Sequence, residues 1–116
     1  SLEMLRFYKE ALASQNIDHI IFGHIGENHL HVNLLPKYSK ELALAEDLVL
    51  KFVRKGVSLG GAVSAEHGIG KIKHKYLEEM YGTNGIEEMS KVKKALDPNG
   101  ILGLDNIFPR NLLSRA

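Results

Sequence analysis

The sequence contains no cysteine. A disulfide framework and a thiolate metal site are therefore excluded, and any metal ion has to be held by His, Asp, Glu, backbone or water. A long apolar run is also missing. Nothing approaches the roughly 18 residues that a membrane-spanning helix needs. No signal-peptide pattern is present, so a reducing, cytoplasmic setting is the expectation. Charge of one sign is not in excess either. A net charge of +1 gives no electrostatic case for nucleic acid or for an anionic membrane. Lys91, Lys93 and Lys94 make a short basic run, but with Glu87 and Glu88 they read as a solvated helix face. Internal repeats and low-complexity segments are absent as well.

What is present is ordinary globular composition. The chain has 116 residues, 44% of them hydrophobic and 25% charged, which fits one small folded domain. Ser1 is placed to cap a helix in which Leu2, Leu5, Tyr8 (or Lys9) and Leu12 recur at helical spacing. Ser14, Gln15 and Asn16 end it. Residues 17–24 read as a strand, rich in Ile and Phe. Gly26, Glu27 and Asn28 supply turn chemistry. Residues 30–35 then alternate, with Leu30, Val32 and Leu34 on one face and His29, His31 and Asn33 on the other. The two segments make a hairpin with one polar, histidine-bearing face, closed by Pro36.

Ser39 is the expected cap of a helix over 40–55 with Leu42, Ala45, Leu48 (or Val49), Phe52 and Val53 as its buried stripe, and Gly56 is its expected C-cap. Residues 57–64 read as a short strand interrupted by glycine. A glycine-rich loop leads into a helix over 71–81 that Gly82 stops. Asn84 with Glu87 resembles a capping box for a last helix reaching 96. Asp97-Pro98-Asn99-Gly100 fits a type I turn. The tail, 101–116, is irregular, with apolar Ile101, Leu102, Leu104, Ile107 and Phe108 in need of cover. Together these elements predict an α+β fold, an antiparallel sheet with helices on one face and further helices at the C-terminal end, close to a split βαβ pattern without its first strand. The abrupt helical start and the uncovered tail read as a piece of a longer protein.

Two stretches carry chemistry. Gly23-His24-Ile25-Gly26-Glu27-Asn28-His29-Leu30-His31 gathers three of the six histidines. Placed across the hairpin from each other, His24 and His31 would have Cβ atoms roughly 5 Å apart. Two imidazoles so placed can share a divalent cation at about 2.0–2.1 Å each. His29 shares a face with His31, which makes it a competing or third ligand. Glu66 can add a carboxylate, completing a two-histidine, one-carboxylate set. In extended backbone His67 would point away from Glu66, so Glu66 is assigned to the metal and His67 to proton transfer. Gly68 and Gly70 either let backbone approach a ligand or make the turn. His19 and His74 read as satisfied structural histidines.

The first stretch resembles the Gly-His-x-Gly-Asp-Gly-Asn-x-His motif of the FAD-linked oxidases, in the branch that oxidises D-2-hydroxy acids such as glycolate and D-lactate. Ser64-Ala65-Glu66-His67-Gly68-Ile69-Gly70 matches that branch's second motif. Asp97-Pro98-Asn99-Gly100-Ile101-Leu102 and Asn106-Ile107-Phe108-Pro109 resemble its usual ending. The resemblance implies a C-terminal cap domain with a ferredoxin-like fold, its FAD-binding domain lying upstream. It implies a divalent metal (zinc, manganese or iron) on His24, His31 and Glu66, with His67 as the base. His29, Asn33, Gly68 and Gly70 would then lie near substrate or cofactor. A small 2-hydroxy acid is the implied substrate, FAD the hydride acceptor, and an iron–sulfur or other electron-transfer protein a further partner. The chain would be inactive by itself. Three positions depart from the motif: its Asp is Glu27, its second Gly is Asn28, and its Asn is His29. The departures at Asn28 and His29 motivate an alternative, a non-catalytic metal-binding or interaction module with the same fold.

Overall fold

A computed structural model describes residues 2–64 and 66–114. The chain divides into two units, Ser1–Leu59 and Gly60–Ala116. The first unit holds helix α1 (Leu2–Ala13), strand β1 (Asp18–His24), a 3₁₀ turn (Ile25–Glu27), strand β2 (His29–Leu35) and helix α2 (Ser39–Ser58). The second holds helix α3 (His74–Leu96) and a short 3₁₀ turn, Arg110–Leu112. An α+β fold was expected and is what forms. Ser1 and Ala65 lie outside the described residues, so the expected Ser1 cap and the Ala65 position of the second motif are not described.

The first unit is built on the alternation of β2. Leu30, Val32 and Leu34, joined by Ile21 of β1, pack against a core of Met4, Leu12, Ile17, Ala45, Leu48 and Phe52. Both helices therefore cover the same face of the hairpin. Leu12 and Leu48 are each only 2% exposed, and burying such a side chain stabilises the fold by roughly 1.5–3 kcal/mol. Tyr8 and Leu12 of the expected α1 stripe are covered, joined by Met4 and flanked by Phe7 and Ala11, whereas Leu2 is largely exposed. The reason is the i, i+4 spacing of Met4, Tyr8 and Leu12, which puts them on one line toward α2. Tyr8 meets Phe52 edge-on with ring centroids 4.8 Å apart. Burial pushes its phenol above the usual tyrosine range. Lys55 of α2 pairs with Glu3 of α1 at 2.7 Å.

Three local expectations are corrected here. Helix α2 runs through Gly56 to Ser58, and residues 57–64 form no strand. Gly56 sits inside the helix, where a glycine costs only about 1 kcal/mol. The chain ends the helix at Leu59, whose amide donates to the Lys55 and Gly56 carbonyls, and then turns at Gly60 with φ +76°. A left-handed φ is what a helix-ending glycine supplies, and Gly60, not Gly56, has it. At the other end, Ser39 is the first helical residue rather than the cap. The Glu41 carboxylate instead accepts the Lys37 amide at 2.6 Å.

In the second unit Leu77, Ile86, Phe108 and Leu113 form a core, with Val63, Ile69, Met89 and Leu112 against it. Part of the apolar tail thus finds its cover within the unit, while Ile101 and Leu102 stay exposed. The expected break at Gly82 is present: its φ of 67° and ψ of 172° interrupt an otherwise continuous run of helix. The helix begins three residues later than expected because Gly70 to Lys73 is taken up in turns, the Lys73 amide donating to the Ile69 carbonyl.

The Asp97 turn forms as the sequence predicts, with the Gly100 amide donating to the Asp97 carbonyl at 3.0 Å. The buried Asp97 carboxylate accepts from the Ile101 amide at 3.1 Å, the Leu102 amide at 2.9 Å and the Lys93 ammonium. The Lys93 hydrogen bond, with help from the two amides, holds its pKa at about 2. Lys93 is therefore structural, while Lys91 pairs with Glu88 on the surface.

A three-histidine hairpin as candidate metal centre

The hairpin register follows one rule, with Asp18 opposite Leu35, Ile20 opposite Asn33, Phe22 opposite His31 and His24 opposite His29. Directly opposed residues share a face. One face therefore carries Ile20, Phe22, His24, His29, His31 and Asn33, and the other carries the core-facing Ile21, Leu30, Val32 and Leu34. The polar face is the one expected. The cross-strand partner of His24 is a correction: it is His29, and His31 lies two pairs further along the ladder, opposite Phe22.

Two backbone features hold this register. At Gly23 a Cβ would lie 2.2 Å from the His29 carbonyl oxygen and 2.9 Å from the Leu30 Cα. No side chain fits there, and the strands approach closely only because that position is glycine. At the end of the 3₁₀ turn, Asn28 is left-handed, with φ 54° and ψ 24°. Asparagine is one of the few residues with a side chain that adopts this conformation readily. Where the motif of the FAD-linked oxidases has glycine, the chain has the next most suitable residue for the same backbone.

The three imidazoles lie together. Ring centroids are 5.6 Å apart for His24 and His29, 4.4 Å for His29 and His31, and 5.9 Å for His24 and His31. Each ring offers a nitrogen within 4.8 Å of the others. Phe22 stacks on His31 at 4.9 Å with the planes 17° apart, which sets the plane of that imidazole. Phe22 read only as a strand residue in the sequence. Its parity with His24 along β1 is the signal that places it on the same face. His24 is exposed, while His29 and His31 are half-buried. Three neutral imidazoles at these separations fit a divalent first-row metal, the ion class that imidazole ligands serve.

Asn33 is exposed on the same face, opposite Ile20. Glu66 and His67 belong to the second unit and sit in a turn. The expectation that they point to opposite sides does not hold, because it assumed extended backbone. The Glu66 Oε1 is 3.3 Å from the His67 Nε2. Gly68 and Gly70 are both left-handed, with φ +65° and +56°, and a Cβ at either would meet nothing within 4 Å. The Ser64 hydroxyl donates to the Gly68 carbonyl at 2.6 Å, which ties the loop to itself. His19 and His74 are satisfied structural histidines. His19 Nδ1 donates to the Ile17 carbonyl at 3.0 Å and His74 Nε2 to the Asp105 carbonyl at 2.7 Å.

The first unit is thus an α+β frame that presents a histidine-rich hairpin. Residues 2–105 match the family model described as FAD linked oxidases, C-terminal domain, and the chain belongs to that family. Glycolate oxidase subunit GlcD of Bacillus subtilis is 30% identical over 115 residues, covering 97% of this chain and 24% of that protein. A probable mitochondrial D-2-hydroxyglutarate dehydrogenase of Oryza sativa subsp. japonica is 37% identical over 94 residues, covering 79% of this chain and 16% of that protein. Mitochondrial D-lactate dehydrogenase [cytochrome] 1 of Saccharomyces cerevisiae is 33% identical over 100 residues, covering 86% of this chain and 17% of that protein. The chain spans 24% or less of the length of these relatives. Among the described residues no helix is long and apolar enough to cross a membrane.

Proposed function

We propose that the chain is the substrate- and metal-binding cap of a flavin-dependent dehydrogenase of D-2-hydroxy acids. The observation that carries this reading is the cluster of imidazoles on the hairpin, in a chain of this family. His24, His31 and Glu66 would hold a divalent metal, and His67 would take the proton of the substrate's hydroxyl. When bound, the metal supplies a Lewis acid that makes that hydroxyl more acidic, and FAD, held outside this chain, supplies the hydride acceptor.

The chain's own residues prepare the reaction in three ways. The hairpin holds its imidazoles before substrate arrives, through the Gly23 approach and the Phe22 stack. The His67 Nε2, facing Glu66 Oε1, is best occupied by the ring proton, which leaves Nδ1 as the accepting atom. The left-handed Gly68 and Gly70 turn the loop that carries His67. Glycolate, D-lactate and D-2-hydroxyglutarate are the substrates to try first, since those acids name the relatives.

The test pairs this chain with an FAD-binding domain in one protein and follows loss of the oxidised flavin absorbance on adding each acid without an electron acceptor. Bleaching by at least one D-2-hydroxy acid is expected. His67→Ala is expected to slow it by on the order of 10²–10⁴, the usual contribution of a positioned base. No bleaching by any such acid, or an undiminished rate in the His67→Ala variant, would remove the proposal.

A further inference from the structure

We infer that His29 is a third nitrogen ligand, so that the metal site of this chain is a three-imidazole site. The inference deepens the proposed function and rests on the hairpin's holding a metal. Its motivation is the register. A site made of His24 and His31 alone would use the most separated of the three ring pairs, at 5.9 Å. His29 completes a triangle with them, 5.6 Å from His24 and 4.4 Å from His31. An ion bridging His24 and His31 would rest against the His29 imidazole.

A neutral imidazole nitrogen is a common ligand of such an ion. Donors at about 2.0–2.1 Å from a tetrahedral ion stand roughly 3.4 Å from one another. The three ring nitrogens already lie within 4.8 Å of each other, so modest rotations of the side chains close the set. The backbone needs no change, because the Gly23 approach and the left-handed Asn28 fix the pairing of His24 with His29.

The third imidazole also sets metal preference. Manganese and magnesium favour oxygen ligands, whereas imidazole suits zinc, iron, copper and nickel. Three nitrogens shift the site toward the second group. The asparagine that the family motif carries at this position offers an amide instead, a poorer ligand for those ions.

The experiment titrates the 116-residue chain with Zn²⁺ alone, by calorimetry, and counts imidazoles on the bound ion by X-ray absorption. The wild type is compared with His29→Asn and with His24→Ala/His31→Ala, each checked for folding by circular dichroism. Three imidazoles are expected in the wild type and two in His29→Asn. The affinity of His29→Asn should fall at least on the order of 10–100-fold, the loss that removal of even an outer-shell partner causes. Two imidazoles in the wild type, with Zn²⁺ affinity unchanged in His29→Asn and lost in the double variant, would overturn the role of His29 and leave His24 and His31 as ligands. A folded wild type that takes up no Zn²⁺, or a double variant that binds like the wild type, would overturn both the inference and the metal site on which it rests.

Discussion

Replacing Gly23 by alanine should damage fold and site together. The added Cβ would lie 2.2 Å from the His29 carbonyl oxygen, whereas real Cβ atoms keep at least 3.0 Å from such neighbours. The obstructing atom is backbone, so no side-chain rotation relieves it. The strands must part by the better part of an ångström at the pair Gly23 and Leu30, and the pair His24 and His29 beyond it opens as well. Overpacking of this kind costs roughly 1–3 kcal/mol, and two weakened ladder positions add roughly 0.5–1.5 kcal/mol each. The sum, about 2–6 kcal/mol, is a large part of the roughly 5–15 kcal/mol that stabilises a small domain. Urea unfolding followed by far-ultraviolet circular dichroism reads it directly. With a slope of roughly 1–3 kcal/mol/M, the midpoint should fall by on the order of 1 M. Gly26→Ala is the control, because a Cβ there meets nothing within 4 Å and its φ is unexceptional. If Gly23→Ala unfolds within about 0.5 kcal/mol of the wild type, the range that innocuous surface changes span, the close approach is not what fixes the register.

Two further outcomes are expected, one in each unit. Asn28→Gly should be tolerated, while Asn28→Val should lose roughly 1–2 kcal/mol in the same urea assay, the cost of a left-handed residue with a branched side chain, since Asn28 has φ 54°. In the second unit, Lys93 with two backbone amides holds Asp97 at about 2, and Arg110 with its own amide holds Asp105 at about 2. Both folded values lie below the roughly 3.9 of an unfolded Asp. The stability they contribute is therefore complete above about pH 4 and is lost as pH falls from there through about 2. Thermal unfolding between pH 5 and 2 (roughly the window in which such carboxylates titrate) should show that decline, and Asp97→Asn/Asp105→Asn should flatten it. An equally steep decline in the double variant would place the acid sensitivity elsewhere.

How far the sequence discloses this chain is clearest in its hairpin. The alternation of Leu30, Val32 and Leu34 with His29, His31 and Asn33 was enough to find β2 and its two faces. Period-two patterning is strong where one face is buried. The break at Gly82 and the Asp97 turn were likewise legible, because each depends on residues adjacent in the chain. The end of α2 was not. Gly56, Gly60 and Gly61 are equivalent candidates by composition, and the choice depends on which one is left-handed, a property of the backbone path. The expected strand over 57–64 failed for the same reason. The separation of Glu66 from His67 was misread because a turn, not a strand, carries them. The Arg110 clamp on Asp105 was invisible, since neither residue belongs to a motif.

The register error is the more instructive one. Pairing His24 with His31 instead of His29 is a slip of two residues, and only a slip of one exchanges the faces of a strand. The polar face was therefore read correctly while the partner was not. Alternation reports parity, whereas the partner depends on how many residues the turn consumes. Here the 3₁₀ turn Ile25–Glu27 and the left-handed Asn28 take up the whole connection, so β2 starts at His29 itself. The family motif would have hidden the consequence, because an asparagine at that position gives no reason to look for a ligand opposite His24. In this chain the same tight turn that closes the hairpin sets a third imidazole directly across from the first. The chemistry proposed for His29 thus originates in the length of a turn, and it is on that point that restoring asparagine at position 29 bears.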